Sequence, residues 1–124
     1  MLRSWAVRLL LVDDQPEMRR LCEVVLRADG FVVTSAANVE EAEVALHASL
    51  PDVVLLDLCM PGIDGYSMAE ALGRDPRTRA LPIILLTATA PLSRTFPSIV
   101  GTITKPFRPT LLAEQVRTLL ATRV

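Results

Sequence analysis

Asp57 is the residue of this 124-residue chain whose position points most directly to chemistry. It follows the aliphatic run at residues 53–56, and a Pro61-Gly62 turn comes shortly after it. A short apolar run that starts β-branched and is bounded by turn residues is typical of a parallel strand covered on both faces. The carboxyl ends of such strands form the ligand-binding edge of open α/β sheets. We therefore predict that Asp57 faces a ligand while its strand is buried.

A second acidic group, Asp13-Asp14, directly follows the apolar run at residues 7–12. If this strand lies beside the Asp57 strand, three carboxylates share one crevice. Each pair repels by roughly 4 kcal/mol at ~4 Å with an effective dielectric near 20. Either one carboxyl stays protonated or a hard divalent cation lies among them, and an oxygen-only site suits Mg²⁺. For the pair alone, the alternative is a solvated strand end that caps a helix.

Thr87 and Lys105 end two later predicted strands, at residues 81–86 and 99–104, so their side chains are expected at the same edge. Lys105 is the only lysine among the 13 basic residues, and a compact ammonium is not interchangeable with a guanidinium. A hydroxyl, an ammonium and a cation around Asp57 would enclose the oxygens of a phosphoryl group on its carboxylate. The alternatives are a β-branched residue that merely closes a strand, for Thr87, and chance, for the single lysine.

Strand and helix patterns alternate along the chain. Strands are predicted at residues 7–12, 31–35, 53–57, 81–86 and 99–104, and helices at 15–28, 38–48, 65–73 and 110–122. Asn38 and Glu41 have capping-box-like spacing, and helical spacing assigns Leu21 and Leu111 to the buried sides of the first and last helices. Pro91 and Pro97 leave room for one or two helical turns between residues 88 and 98, so a fourth helix would be short or disordered. Right-handed crossovers between parallel strands cover both faces of a sheet. We predict a flavodoxin-like, doubly wound α/β fold with five parallel strands in the order 2-1-3-4-5.

Composition limits the remaining possibilities. The length fits one compact domain over residues 1–124, and a net charge of −1 argues against direct binding to nucleic acid or an anionic membrane. No apolar run is long enough for a membrane span or a secretory signal, which predicts a cytoplasmic protein. Cys22 and Cys59 match neither a disulfide framework nor a metal-ligand spacing, so both are interpreted as small buried hydrophobic residues.

The strand-end motifs together resemble the receiver domain of response regulators in two-component phosphorelay signalling, including the chemotaxis-type single-domain regulators. The resemblance covers residues 7–120. It rests on Val12-Asp13-Asp14, on Leu56-Asp57-Leu58-Cys59-Met60-Pro61-Gly62-Ile63-Asp64-Gly65, on Thr87-Ala88 and on Lys105-Pro106-Phe107. Each motif is weak alone, but their order and their positions at strand ends are specific.

This resemblance implies that Asp57 accepts a phosphoryl group from a phosphohistidine of a sensor histidine kinase or a histidine phosphotransfer protein. Asp14 and Asp57 would bind Mg²⁺ directly, Asp13 would bind it through water, and the backbone carbonyl of Cys59 would be a further ligand. The domain would catalyse only its own phosphorylation and dephosphorylation.

The resemblance further implies that Thr87 and Lys105 contact the phosphoryl oxygens and that the Lys105-Pro106 bond is often cis. The phosphoryl group would then change the conformation of the domain and so signal to an unknown downstream partner. A homodimer is also compatible with the resemblance.

The chain departs from this family in two places. Thr102 stands three positions before Lys105, where receivers usually have an aromatic residue, and the span from Thr87 to Lys105 is about one helical turn shorter than usual. We therefore expect the phosphorylation chemistry to survive, the conventional relay to be muted, and the segment at residues 88–98 to be mobile.

Two other functions compete with this one. A Mg²⁺-dependent phosphohydrolase of haloacid-dehalogenase type also uses a strand-end Asp nucleophile, but it has a second Asp two positions later, where this chain has Cys59. A module that keeps the fold only for interaction would not need the full acidic set and Lys105.

Overall fold

The computed structural model describes residues 6–58, 65–88 and 97–121. Five strands and four helices account for most of them. The strands are β1 (Arg8–Val12), β2 (Val32–Ala36), β3 (Val53–Asp57), β4 (Ile83–Thr87) and β5 (Ile99–Thr104). The helices are α1 (Pro16–Ala28), α2 (Val39–Ala48), α3 (Gly65–Arg74) and α4 (Leu112–Ala121), and a 3₁₀ turn at Pro109–Leu111 precedes α4.

The five strands form one parallel sheet in the order β2-β1-β3-β4-β5, which confirms the predicted fold. Val12 is paired with Leu56 across β1 and β3, and Thr87 is paired with Thr104 across β4 and β5. The carboxyl ends of β1, β3, β4 and β5 therefore lie side by side. This arrangement places the residues that follow these strands at one edge of the sheet.

Both faces of the sheet are covered by helices. Leu55 of β3 packs into a cluster with residues of α1 and α4, while its neighbour Leu56 packs into a second cluster with residues of α2 and α3. Every residue of β3 and β4 is buried, which explains their uninterrupted aliphatic sequences. Burial of each such leucine contributes about 1.5–3 kcal/mol, so β3 and β4, which end at Asp57 and Thr87, are firmly held.

Local signals in the sequence set several element boundaries. Asn38 caps α2 by accepting a hydrogen bond from the backbone N–H of Glu41 (2.8 Å). The Glu41 carboxylate accepts one from the backbone N–H of Ala37 (2.7 Å), so the predicted capping pair is present. Helix α1 is followed by Gly30 with φ of 97°, a conformation that favours glycine.

Three details differ from the sequence-based predictions. Strand β4 begins at Ile83 rather than at residue 81, because the backbone N–H of Leu81 closes a turn onto Thr78. Leu111 was expected on the buried side of the last helix but is 40% exposed, because it lies in the 3₁₀ turn before α4. Leu21, expected on the buried face of α1, is 38% exposed.

Cys22 is fully buried, as predicted, and burial raises the pKa of its thiol to about 12. Cys59 and the short fourth helix predicted between residues 88 and 98 lie wholly or largely outside the described residues. Within the described ranges, no helix has the length and apolar character needed to span a membrane.

Candidate functional site

The centre of the candidate site is an ion pair between Asp57 and Lys105. Asp57 is the last residue of β3 and is 1% exposed, and Lys105 directly follows β5. The Lys105 ammonium lies 2.8 Å from Asp57 Oδ2, and the lysine side chain is 17% exposed. Removing one partner of a buried ion pair strongly destabilises the protein, because the other charge is left buried without compensation. Asp57 and Lys105 therefore hold each other in place.

Thr87 lies between these two residues in the order of the strands. It ends β4 and is 2% exposed, and its backbone carbonyl accepts a hydrogen bond from the backbone N–H of Lys105 (2.8 Å). On the other side of β4, the backbone N–H of Leu58 donates to the carbonyl of Leu86 (2.9 Å). These bonds continue the sheet pairing past the strand ends and place Asp57, Thr87 and Lys105 on adjacent strands.

Asp13 is held at the same edge by the end of β1. Its side chain is fully buried, and Oδ1 accepts a hydrogen bond from the backbone N–H of Gln15 (2.9 Å). Burial raises the pKa of the Asp13 carboxyl to about 6; the bond from Gln15 opposes the rise, and the charge of Asp57 adds to it. At neutral pH Asp13 is therefore largely ionised in a poorly solvated position beside another carboxylate.

Two carboxylate oxygens at this edge are buried without a hydrogen-bond partner among the described residues, Asp13 Oδ2 and Asp14 Oδ1. An unpaired buried carboxylate oxygen is costly, since it has lost water without gaining a donor. Hard oxygen donors in this state fit a divalent cation such as Mg²⁺, which takes one or two carboxylates and completes its octahedron with water and phosphate oxygens.

In the part of the chain that the structure describes, no three His, Cys, Asp or Glu side chains form a group that could by itself hold a metal ion. Three carboxylates were predicted to share one crevice. Asp13 and Asp57 interact electrostatically there, but the described residues include no group of three that could hold a metal ion. The proposed carbonyl ligand at Cys59 lies outside the described residues. A cation here would thus depend on few protein ligands.

Two features of the site are not evident from the sequence. The Arg19 guanidinium of α1 donates a hydrogen bond to the backbone carbonyl of Asp13 (2.8 Å) and ties the acidic strand end to that helix. A cavity of about 310 Å³ lies beside Lys105 and is lined mainly by apolar residues, including Met18, Leu21 and Phe107. The cavity could not be predicted, because helical spacing assigned Leu21 to the buried face of α1.

The Lys105-Pro106 bond is cis, as the resemblance implied.

Comparison with known proteins agrees with this geometry. The family profile of the response regulator receiver domain matches residues 9–117. The chain is 39% identical to the response regulator Rre1 of Synechocystis sp. over 123 residues, which are 93% of this chain and 52% of that protein. It is 34% identical to a probable transcriptional regulator ycf27 of Guillardia theta, with 91% of this chain and 45% of that protein aligned. The chain thus spans about half the length of these relatives.

Solved structures are similar over nearly the whole chain. A putative response regulator from Chloroflexus aurantiacus superposes with a TM-score of 0.82 and 37% identity, over 94% of this chain and 98% of that chain. The chemotaxis response regulator CheY4 of Vibrio cholerae gives a TM-score of 0.78 and 26% identity, over 94% of this chain and 99% of that chain.

Proposed function

Because the chain belongs to the family of response regulator receiver domains, we propose that Asp57 accepts a phosphoryl group from a phosphohistidine of a sensor histidine kinase or a histidine phosphotransfer protein. The observation that carries this proposal is the buried contact of 2.8 Å between Asp57 Oδ2 and the Lys105 ammonium. A carboxylate held by one cation at the ligand-binding edge of the sheet is both positioned and poised for an anionic substrate.

The reaction is a displacement at phosphorus. One carboxylate oxygen of Asp57 forms a bond to phosphorus while the bond between phosphorus and the donor imidazole nitrogen breaks. The electron pair of the broken bond goes to the donor imidazole nitrogen. The ring leaves as neutral imidazole, either because its other nitrogen is already protonated before the transfer or because the leaving nitrogen takes up a proton from water. Lys105 keeps its positive charge beside the new aspartyl phosphate, where the ammonium donates to a phosphoryl oxygen.

The reaction is proposed to depend on Mg²⁺. Asp14 and Asp57 would hold the ion directly, Asp13 would hold it through water, and the Cys59 carbonyl would complete the protein ligands. The unpartnered oxygens of Asp13 and Asp14 support this assignment. When bound, the ion supplies positive charge that offsets the repulsion between the carboxylates and the phosphoryl oxygens.

Thr87 is proposed to detect the phosphoryl group. Its place at the end of β4, between the strands of Asp57 and Lys105, would allow its hydroxyl to donate to a phosphoryl oxygen. A shift of the Thr87 side chain toward the phosphoryl group would change the packing behind β4, and this change would be the signal to a downstream partner. The chain has Thr102 rather than an aromatic residue on neighbouring β5, so we expect the relay through this strand to be muted.

The apolar cavity beside Lys105 is proposed to receive the phosphodonor protein. It lies beside Lys105, the ion-pair partner of the acceptor Asp57, and is lined by Leu21 of α1 and Phe107 after β5. A protein that docks there would exclude water from the site while it presents its phosphohistidine to Asp57. Leu21, which is 38% exposed, offers part of an apolar surface for such a contact.

We propose that residues 1–124 form one receiver domain of a cytoplasmic signalling protein, with no direct role in binding nucleic acid. Catalysis would be limited to its own phosphorylation and dephosphorylation. No observation favours the haloacid-dehalogenase alternative, which requires an acid at the position of Cys59.

The proposal is tested by incubating the protein with acetyl phosphate and Mg²⁺ and measuring the intact mass over time. A phosphoryl adduct that forms only with Mg²⁺ and persists for minutes is expected. Asp57→Asn should show no adduct, while Asp52→Asn, a control at the opposite end of the same strand, should react normally. Rapid release of phosphate without an adduct would indicate a phosphohydrolase, and neither product would indicate an interaction module.

A further inference from the structure

A groove of about 540 Å³ lies between α2 and α3, on the same face of the sheet. Its floor is apolar, formed by the buried side chains of Leu46, Met68 and Leu72. The α2 residues that line it extend from position 39 to position 47, a separation of eight residues. At 1.5 Å per residue this is about 12 Å along the helix axis, or more than two turns. The groove is therefore elongated.

The rim of this groove is acidic. Glu40 and Glu43 line its α2 side with exposed side chains, and Asp75 lies at its end. Within the described ranges, neither glutamate forms an ion pair with a basic side chain. Arg77 is the one arginine among the lining residues, and its guanidinium donates to the backbone carbonyl of His47 at the C-terminus of α2 (3.3 Å). The positive charge of Arg77 thus offsets the partial negative charge at the C-terminus of α2. It does not neutralise the negative charges of Glu40 and Glu43.

We propose that this groove binds an amphipathic helix of a partner protein. The apolar side chains of that helix would pack on Leu46, Met68 and Leu72, and its flanking Lys or Arg side chains would face Glu40 and Glu43. An elongated apolar floor between two helices is the geometry of helix-in-groove recognition. The acidic rim would accelerate association with a basic partner and reject acidic ones.

The groove also has a packed connection to the phosphoacceptor strand. Helix α3 begins at Gly65, where an added Cβ would lie 2.5 Å from Cδ2 of Leu58, the residue after Asp57. The same helix carries Met68 and Leu72 in the groove floor. Binding of the helix itself requires only the groove, so it does not depend on the phosphoryl acceptance proposed above.

The probe for this surface is a display library of amphipathic helical peptides about three turns long, with random residues at the positions that flank the apolar face. Peptides selected on the native protein are titrated into ¹⁵N-labelled protein. The expected binders are rich in Lys and Arg at the flanks, and they shift the amide signals of Leu46, Ala71 and their neighbours. Their affinity should weaken as salt concentration rises.

Matched variants separate the groove from general charge effects. The double variant Glu40→Lys/Glu43→Lys should weaken binding about tenfold or more, because two favourable contacts become repulsive. Glu17→Lys/Glu114→Lys makes the same charge change on the exposed faces of α1 and α4 and should leave binding unchanged. Ala71→Trp, which fills the groove from an exposed position on α3, should abolish it, with circular dichroism confirming that each variant is folded.

Three results would overturn the proposal: no selected peptide, selected peptides without a basic excess, or amide shifts that map away from α2 and α3. Equal weakening by both double variants would also overturn it, because the effect would then be one of net charge. Loss of phosphorylation at Asp57 would leave all of these results unaffected, so the two proposals fail separately.

Discussion

The ammonium of Lys105 lies 2.8 Å from Oδ2 of Asp57, although 48 positions separate the two residues in the chain. The contact is possible because only β4 lies between β3, which ends at Asp57, and β5, which Lys105 follows. All three strands end at the same level. It sets the charge of the site before any ligand binds.

Lys105→Arg is expected to slow phosphorylation by acetyl phosphate at least tenfold, a loss of about 1.4 kcal/mol of transition-state stabilisation. A planar, branched guanidinium does not fit where a single ammonium is mostly buried against Asp57. The rate of adduct formation measures the effect. Arg108→Lys, an exposed exchange close by, is the control and should have no effect. A normal rate in Lys105→Arg would show that the single lysine is there by chance.

Asp13 should make the stability of the metal-free protein depend on pH. Its pKa is about 6 in the folded state, against 3.8 for an unperturbed Asp carboxyl. Between pH 3.8 and pH 6, Asp13 is mostly ionised in the unfolded chain but mostly protonated in the folded protein. Its contribution to the free energy of unfolding is therefore full below pH 3.8 and is lost as the pH rises to 6. The total is up to about 3 kcal/mol.

Urea unfolding of wild type and Asp13→Asn, compared across this pH range without Mg²⁺, measures that contribution. The difference between the two proteins should grow in favour of the variant from pH 4 to pH 6.5, because the amide carries no charge to desolvate. Added Mg²⁺ should reduce the difference at neutral pH. A constant difference across the range would mean that Asp13 does not titrate as described.

Gly65→Ala should destabilise the protein by about 1–3 kcal/mol, as overpacking of a filled site does. The new methyl group would lie 2.5 Å from Leu58 Cδ2 and 3.2 Å from Leu58 Cα, and the backbone atom cannot turn aside. Gly73→Ala is the matched control on the same helix: its Cβ would meet Ser98 Oγ at 3.6 Å. That variant should be stabilised by about 0.5–1 kcal/mol through helix propensity. Denaturant unfolding measures the stability of both variants. A change of the same sign in both would refute the packing argument.

Much of the fold was predictable from the sequence because apolar runs mark β1, β3 and β4. The order of the strands followed from crossover geometry, and the polar residues at the strand ends, Asp13, Asp57 and Lys105, could be assigned to one edge. The direct pairing of Lys105 with Asp57 could not be predicted, since the sequence contains no distances between side chains on different strands. The same limit hid the bond from Arg19 to the Asp13 carbonyl.

Errors in the predicted core have a related cause. Leu21 and Leu111 have the spacing of buried helix residues, but burial depends on what lies opposite, and both are partly exposed. The groove between α2 and α3 was also not predictable, because it depends on how far apart two helices lie on the sheet.

The central claim is that Asp57 itself carries the phosphoryl group, and chemical mapping of the adduct tests it most directly. Protein treated with acetyl phosphate and Mg²⁺ is reduced with tritiated borohydride, which converts an acyl phosphate into a labelled alcohol, and is then digested and sequenced. We predict that the label lies at position 57 and is absent when Mg²⁺ is omitted. Label at position 13 or 14, or no label despite a stable adduct, would contradict the account.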